Sequence, residues 1–239
     1  ERYPNNFMMP AETAIELGDK NKEILELAQL KITAKLFYLN KGNEVHVDFK
    51  ISNINPKSRA DVIFLNPPLA LHHPDHLPSK VNIDGDSLEI PRNNGELYEL
   101  LHYLQQLSDH GRMSVLIPFS VLSAKGKVKK IREFLVGNDY IDAVIQLPAN
   151  LITNTSIQAA IIVINKNKSE SRKHKIFFAR VETAQTGDTA DISSEEINRV
   201  INTYKKAKSN LHAIATLAEI LRLECDLTPG LYIDAFPDE

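Results

Sequence analysis

The sequence predicts an α/β fold: a doubly wound, mostly parallel sheet with an antiparallel last strand, followed by C-terminal helices. Three observations carry that expectation. Asp61–Leu65, Met113–Ile117, Ile141–Leu147 and Ile157–Asn165 are short apolar runs with little polar alternation, as in strands covered on both faces. Segments of helical period lie between several of them, and alternation of strand and helix is the pattern of parallel strands joined by crossovers. The last runs follow one another without an intervening helix, which suits an antiparallel return.

Composition sets the class. With 239 residues, 43% hydrophobic and 25% charged, the chain can bury a core of one domain plus an appendage. No apolar stretch reaches the roughly 18 residues of a membrane span, and no signal-like block opens the chain. The single cysteine, Cys225, excludes an internal disulfide and a multi-cysteine zinc site. The expected compartment is the cytoplasm. A net charge of −3 argues against holding nucleic acid by bulk charge, so DNA binding would need a local basic patch or a basic partner.

In chain order, residues 1–9 read as irregular chain, and because the chain starts at Glu1 it is expected to be a fragment of a longer one. Thr13–Leu17 is a strand candidate, and a periodic helix follows over Lys22–Tyr38. Val45, Val47 and Phe49 alternate with polar residues, as in a strand. Asp61–Leu65 is a buried strand. A polar loop over residues 70–95 leads to a helix from Glu96 to Ser108, with Gly111 as its C-terminal cap before strand Met113–Ile117. A basic helix spans Lys127–Val136, and strands follow at Ile141–Leu147, Ile157–Asn165 and Ile176–Val181. Ser193 with Glu196 and Thr216 with Glu219 are spaced as capping boxes, predicting helices to Lys206 and over Leu217–Glu224. The chain therefore divides into a sheet domain, 1–182, and a C-terminal helical appendage, 183–239.

The chemistry points to Asn66-Pro67-Pro68-Leu69, directly after the strand Asp61–Leu65. Strand ends are where open α/β sheets place their sites. Two prolines fix φ, remove two N–H donors and hold Asn66 out of the helical region, leaving an amide oxygen and backbone carbonyls as acceptors for an amino group. Read without context, the same residues make an ordinary proline turn.

In its ordered segments the chain resembles the methylation subunit of type I restriction-modification systems, a family of adenine-specific DNA methyltransferases with an Asn-Pro-Pro motif. The segments are Ile15-Glu16-Leu17-Gly18-Asp19, Ile51-Ser52-Asn53, Asn66-Pro67-Pro68-Leu69, Asn93-Asn94-Gly95-Glu96, Gly111–Pro118, Ile131–Leu135, Ala143–Leu151, Ile162–Lys166 and Leu227–Tyr232. The resemblance implies the sheet of S-adenosylmethionine-dependent methyltransferases and methylation of the adenine exocyclic amino group in double-stranded DNA. It implies catalysis at Asn66, Pro67, Pro68 and Leu69, with Asn66 and the carbonyl of Pro67 accepting the amino hydrogens. Asp19, with Glu16 as second choice, would bind the cofactor ribose, and Asn53 its adenine. Leu69 and Ile152 would flank the target base. Partners would be a DNA specificity subunit and, as a further candidate, the restriction subunit.

Three departures accompany the resemblance. The family's glycine-rich cofactor loop has no counterpart and is expected upstream of residue 1. Leu69 and Ile152 stand where the family has aromatic residues. The alternative reading is accordingly a catalytically degenerate homologue acting as a binding or assembly module, and a third is methylation of protein or RNA by a related Asn-Pro-Pro enzyme. His72, His73, Asp75 and His76 could ligate a metal, but Pro74 disfavours the helix that would pair them; a loop near the target base is preferred, and no metal is expected. Lys125, Lys127, Lys129, Lys130 and Arg132 form either a solvated helix face or a nucleic-acid contact. Lys166, Lys168, Arg172, Lys173 and Lys175 are expected on an exposed hairpin, and Cys225 as a structural residue.

Overall fold

The structure, a computed structural model, describes residues 7–8, 59–67, 69–70, 72–149, 151, 157–182, 184–186, 189–204 and 212–233. The strand at Thr13–Leu17, the helix at Lys22–Tyr38 and the strand at Val45–Phe49 lie outside the described residues. Seven strands form the central sheet: β1 (Phe7–Met8), β2 (Ala60–Leu65), β5 (Leu107–Pro118), β6 (Ile141–Gln146), β7 (Ala159–Asn165), β8 (Lys175–Arg180) and β11 (His212–Thr216). Their spatial order is β1-β2-β5-β7-β6-β8-β11. Pairing is parallel for β1/β2, β2/β5 and β6/β8, and antiparallel where β7 lies between β5 and β6 and where β11 closes the edge on β8.

The sheet is thus mixed and mostly parallel, as expected. β6 and β7, neighbours in sequence with no helix between them, pair antiparallel, and β8 then returns parallel to β6. β7 and β8 do not pair; β7 fills the space between β5 and β6, running against both. The cause is the connection. Residues 147–158 leave β6 without a crossover helix, so the chain reverses and returns beside the strand it has just left. Residues 1–9 hold a short parallel strand, Phe7–Met8, and not only irregular chain.

Helices α1 (Glu96–Gln106) and α2 (Lys127–Gly137) cover one face, burying Leu97, Leu100, Leu104, Ile131, Phe134 and Leu135 against Ile63, Leu65, Met113 and Val115. On the other face, Val200 of α3 (Ser194–Thr203) joins Ala143, Phe177, Ala179 and Val181. The segment expected to hold only appended helices also supplies a small antiparallel pair, β9 (Ala184–Thr186) and β10 (Thr189–Asp191), and β11, the sheet's edge strand, between α3 and α4 (Leu217–Arg222); α5 (Gly230–Ile233) follows. Thr216 and Glu219 close a full capping box. Ser193 accepts from the Glu196 N–H, but the Glu196 carboxylate turns to Arg199 and the Glu182 N–H instead.

The expected polar loop over 70–95 contains a hairpin, β3 (Lys80–Ile83) and β4 (Asp86–Glu89), with Val81, Ile83 and Leu88 buried. Its turn residues Asp84 and Gly85 take φ of 51° and 91°, the left-handed pair that a two-residue hairpin turn requires. Gly111 does not cap α1. The helix ends at Gln106 because Leu107 turns extended, and Gly111 lies buried where the β2/β5 register shifts. A Cβ there would stand 2.6 Å from the Leu107 side chain.

Basic residues turn inward more than expected. Arg132 is buried and donates to the carbonyls of Val121 and Ala124 at 2.7 Å and of Cys225 at 2.9 Å, tying α2 to the chain after α4. Lys168 is buried too, donating at 2.6 Å to Asp139 and to the Ile141 carbonyl. With Arg172 paired to Asp142, the 166–174 connection is a pinned loop and not an exposed hairpin.

Candidate active site at the strand ends

β2 and β5 are parallel with Leu65 opposite Val115, and β6 and β8 run the same way, so the four strands end at one edge of the sheet. The Asn-Pro-Pro turn stands on that edge. Leu65 is buried, Asn66 exposed and Pro67 buried, which orients the turn with its amide outward. The Asn66 amide has no hydrogen-bond partner among the described residues. Ala70 has φ of 54°, so the chain swings away from the strand direction just beyond the motif.

Neighbouring strand ends close in around it. β5 ends at Pro118 and passes into a 3-10 turn, Phe119–Leu122. The Phe119 N–H donates to the Gln158 carbonyl at 2.8 Å, and Leu147 N–H to the Ala159 carbonyl at 3.1 Å. The Gln158 amide returns to the Leu147 carbonyl at 3.2 Å. Leu69 is half-buried and packs on the second-face cluster that includes Leu147 and Ala159, against which Leu116 and Leu151 also pack. The structure therefore brings together the Asn66 turn, Leu69 and the start of the loop that carries Ile152. Pro68 and Ile152 themselves lie outside the described residues.

The predicted cofactor residues Asp19, Glu16 and Asn53 also lie outside the described residues. As a donor set they suit a nucleoside: carboxylates accept from ribose hydroxyls, and an amide can both donate to and accept from a purine.

Other candidate residues find structural roles. His73 is buried, with Nε2 at 3.0 Å from the Pro78 carbonyl and its ring 5.2 Å from Tyr98. Its N–H donates to the Arg92 carbonyl at 2.8 Å, closing the loop onto the entry to α1. Among the described residues no three His, Cys, Asp or Glu side chains are grouped to hold a metal. Lys127 pairs with Glu89 at 3.0 Å, and Lys129 with Glu224 at 2.7 Å. The Lys127 hydrogen bond holds the Glu89 carboxyl below its ordinary range. Lys130 on the helix and Lys125, two residues before it, are exposed, as is Lys127. Cys225 is buried, and burial pushes its thiol up.

At the opposite edge lies a cavity of about 350 Å³, lined by Arg59, Asn82, Asp84, Asp109, Tyr140 and Lys166. Arg59 pairs with Asp109 at 2.7 Å, and the Tyr140 hydroxyl donates to Asp84 at 2.6 Å. Burial first, then Asp84, raises the Tyr140 phenol, while burial lowers the Lys166 ammonium. Opposed charges satisfy one another there, and the Asn66 turn stands at the other end of the strands.

One residue at this edge that the sequence reading did not single out is Phe119. A half-buried aromatic one residue past β5 stands on the same edge as Asn66. Its signal was available, since it directly follows the Ile117-Pro118 end of a predicted strand.

No helix among the described residues is long and apolar enough to cross a membrane. The chain is 28% identical over 191 residues to the type I restriction enzyme MpnII methylase subunit of Mycoplasma pneumoniae, covering 77% of this chain and 35% of that protein. It is 25% identical over 199 residues to the MjaVIII methylase subunit of Methanocaldococcus jannaschii, covering 79% of this chain and 34% of the relative. The chain thus spans about a third of the length of these relatives. Among solved structures, the type I restriction-modification methyltransferase subunit from Streptococcus thermophilus superposes with a TM-score of 0.66 at 23% identity, over 80% of this chain and 43% of that one, a likeness of fold. The sequence profile described as N-6 DNA Methylase matches residues 19–239, and the chain belongs to that family.

Proposed function

We propose that the protein transfers a methyl group from S-adenosylmethionine to the exocyclic amino nitrogen of adenine in double-stranded DNA, as part of a type I restriction-modification system. The observation that carries this reading is the exposed Asn66 amide on a proline-fixed turn at the C-terminal end of a parallel strand. An aromatic amino group is a poor nucleophile because its lone pair is delocalised into the ring. Acceptors that bind both its hydrogens favour the pyramidal nitrogen of the transition state over the planar ground state, which is differential binding. The Asn66 amide oxygen and the Pro67 carbonyl are those acceptors, held by the two prolines without reorganisation. Pro68 stiffens the turn, and Leu69 borders it on the second face of the sheet.

Asp19, with Glu16 in reserve, and Asn53 would hold the nucleoside end of the cofactor, which supplies an electrophilic methyl group. The chain's own contribution is alignment and exclusion of water. The methyltransferases to which the chain is similar are subunits of larger enzymes, and its modest negative charge suits an assembly in which a specificity subunit grips and reads the DNA. A restriction subunit would complete the assembly. A cytoplasmic location follows from that role, and the C-terminal 183–239 segment is assigned to assembly.

The test is transfer of a labelled methyl group to adenine in DNA by the protein with its specificity partner. Asn66→Ala should lower turnover by about 10²–10³-fold, the effect of removing one preorganised partner of a developing charge, with little change in cofactor affinity. Near-normal turnover in that variant would make the turn structural and remove the adenine assignment.

A further inference from the structure

The cavity at the edge opposite the Asn66 turn is walled by segments that the chain ties together crosswise. Arg59 precedes β2, Asp109 lies early in β5, Tyr140 precedes β6, Lys166 follows β7, and Asn82 and Asp84 come from the β3–β4 hairpin. The Tyr140 hydroxyl donates to Asp84 at 2.6 Å and holds the hairpin turn against the sheet. Tyr140 is itself fixed: its ring meets Phe134 edge-on, and its carbonyl accepts from the Asn165 N–H at 2.9 Å. The Gln105 amide donates to the Asn82 carbonyl at 2.5 Å, joining the end of α1 to the hairpin. These bonds leave about 350 Å³ between the walls, room for a small molecule of several heavy atoms.

The charges of this cavity balance in sum, but in contact only Arg59 and Asp109 do, at 2.7 Å. Lys166 is half-buried and donates to the Leu107 carbonyl at 3.1 Å, with the Tyr140 ring centre 5.7 Å away, yet it makes no ion pair with any described residue. Burial lowers its ammonium, and Asp84 and Asp109, acting from a distance, offset that in part. The Tyr140 hydroxyl takes one oxygen of Asp84 and leaves the other without a partner among the described residues, as is the Asn82 side-chain amide. A half-buried cation without a contacting counter-charge is costly, so an anionic group on Lys166 relieves it. A plain anion there, however, would also face Asp84 and Asp109, and a plain cation on Asp84 would face Lys166. A molecule that carries both charges, a few ångströms apart, meets complementary charge on each wall.

We propose that this cavity binds a small zwitterion of the α-amino acid class, with its carboxylate on Lys166 and the Asn82 amide and its ammonium on Asp84. The site is separate from the Asn66 edge and independent of the methyltransferase reading above. Its walls come from the hairpin and from the starts of β2, β5 and β6, so an occupant joins these elements and stabilises this edge of the sheet.

The experiment titrates the isotope-labelled protein, observed by amide NMR, with L-alanine, which carries both charges, with propionate, which carries only the carboxylate, and with ethylammonium, which carries only the ammonium. Alanine should shift the amides of Gly85 and Lys166 and leave that of Asn66 in place. It should bind at least about tenfold more tightly than either singly charged probe, the scale of one hydrogen bond to a charged group. Lys166→Met should weaken alanine by a similar factor. Asp84→Asn keeps an acceptor for the Tyr140 hydroxyl and suits the left-handed turn position, so it should fold; it should weaken alanine while strengthening propionate, a reversal that a merely structural role would not produce. The proposal is overturned if alanine leaves Gly85 and Lys166 unmoved, if propionate or ethylammonium binds wild type as tightly as alanine, or if either variant, melting like wild type, binds alanine unchanged. Should Lys166→Met melt early, Lys166→Gln takes its place: loss of alanine binding in that folded variant supports the site, and retention overturns it.

Discussion

Asp142 and Arg172 form a buried ion pair that fixes the β7–β8 connection to the start of β6: the guanidinium lies 3.1 Å from the carboxylate and donates to the Asp142 carbonyl at 2.8 Å. The Tyr204 hydroxyl and the Asn165 amide donate to the other carboxylate oxygen, and the guanidinium carbon lies 4.4 Å from the Tyr204 ring centre. Four elements meet at this one carboxylate. Arg172→Ala should therefore cost about 3–5 kcal/mol in chemical denaturation, because it leaves a buried charge without its counter-charge. Replacing both residues by apolar ones of similar size should cost less than that single change. A single variant within about 1 kcal/mol of wild type would show the pair to be incidental.

The same network gives an alkaline signature. Burial, then the hydrogen bond to Asp142, pushes the Tyr204 phenol up to about 12. A tyrosine is neutral when protonated, so a raised value means that the folded state keeps a proton the unfolded state has lost. The stabilisation is complete below the ordinary tyrosine value near 10 and is lost as pH rises towards about 12. Tyr140 and Tyr232 are raised as well. Tyr204→Phe should thus show a shallower fall of denaturation midpoint over that window than wild type. Parallel curves would mean that Tyr204 titrates alike in both states.

Gly111 makes a packing prediction. A methyl group there would stand 2.6 Å from Leu107 Cγ and Cδ1 and 3.0 Å from the Ser108 carbonyl. Gly111→Ala should destabilise by about 1–3 kcal/mol, the range for overpacking a close-packed site. The cost should shrink in a Leu107→Ala background, since contacting sites are not additive. Equal costs in both backgrounds would locate the strain in the backbone.

What the sequence made legible follows the range of the interaction. Local patterns held: Ile63, Leu65, Met113 and Val115 are buried strand residues, and the Thr216–Glu219 box caps its helix. The β3–β4 hairpin was also locally encoded, by Asp84-Gly85 between Val81, Ile83 and Leu88, Ile90; the polarity of the surrounding loop masked that signal. Strand order was not legible. Nothing in Ala159–Asn165 says that it lies between β5 and β6, since pairing depends on which gap the crossovers leave. Buried Lys168 and half-buried Arg172 looked like surface charge because their partners Asp139 and Asp142 come from the start of another strand.

Leu69→Phe tests whether a stacking face beside the Asn66 turn can be rebuilt. Leu69 is half-buried against the cluster that holds Leu147, so a larger ring has one side on that surface and one side open to the edge. Two effects of similar size oppose each other: overpacking costs about 1–3 kcal/mol, and one base-stacking face contributes about 1–3 kcal/mol. They act on different quantities, however. Overpacking lowers the melting temperature of the free protein, whereas stacking enters only when a base is bound. With its specificity partner, the variant should bind DNA carrying a mismatched target adenine more tightly and methylate it faster, despite a lower melting temperature. Mismatched adenine is the discriminating substrate, since its flipping already costs less and the gain in capture is not hidden by base-pair opening. A variant that stays folded yet gains neither affinity nor methylation would mean that no base enters beside Leu69, and the chain would then be a methyltransferase fold retained for assembly.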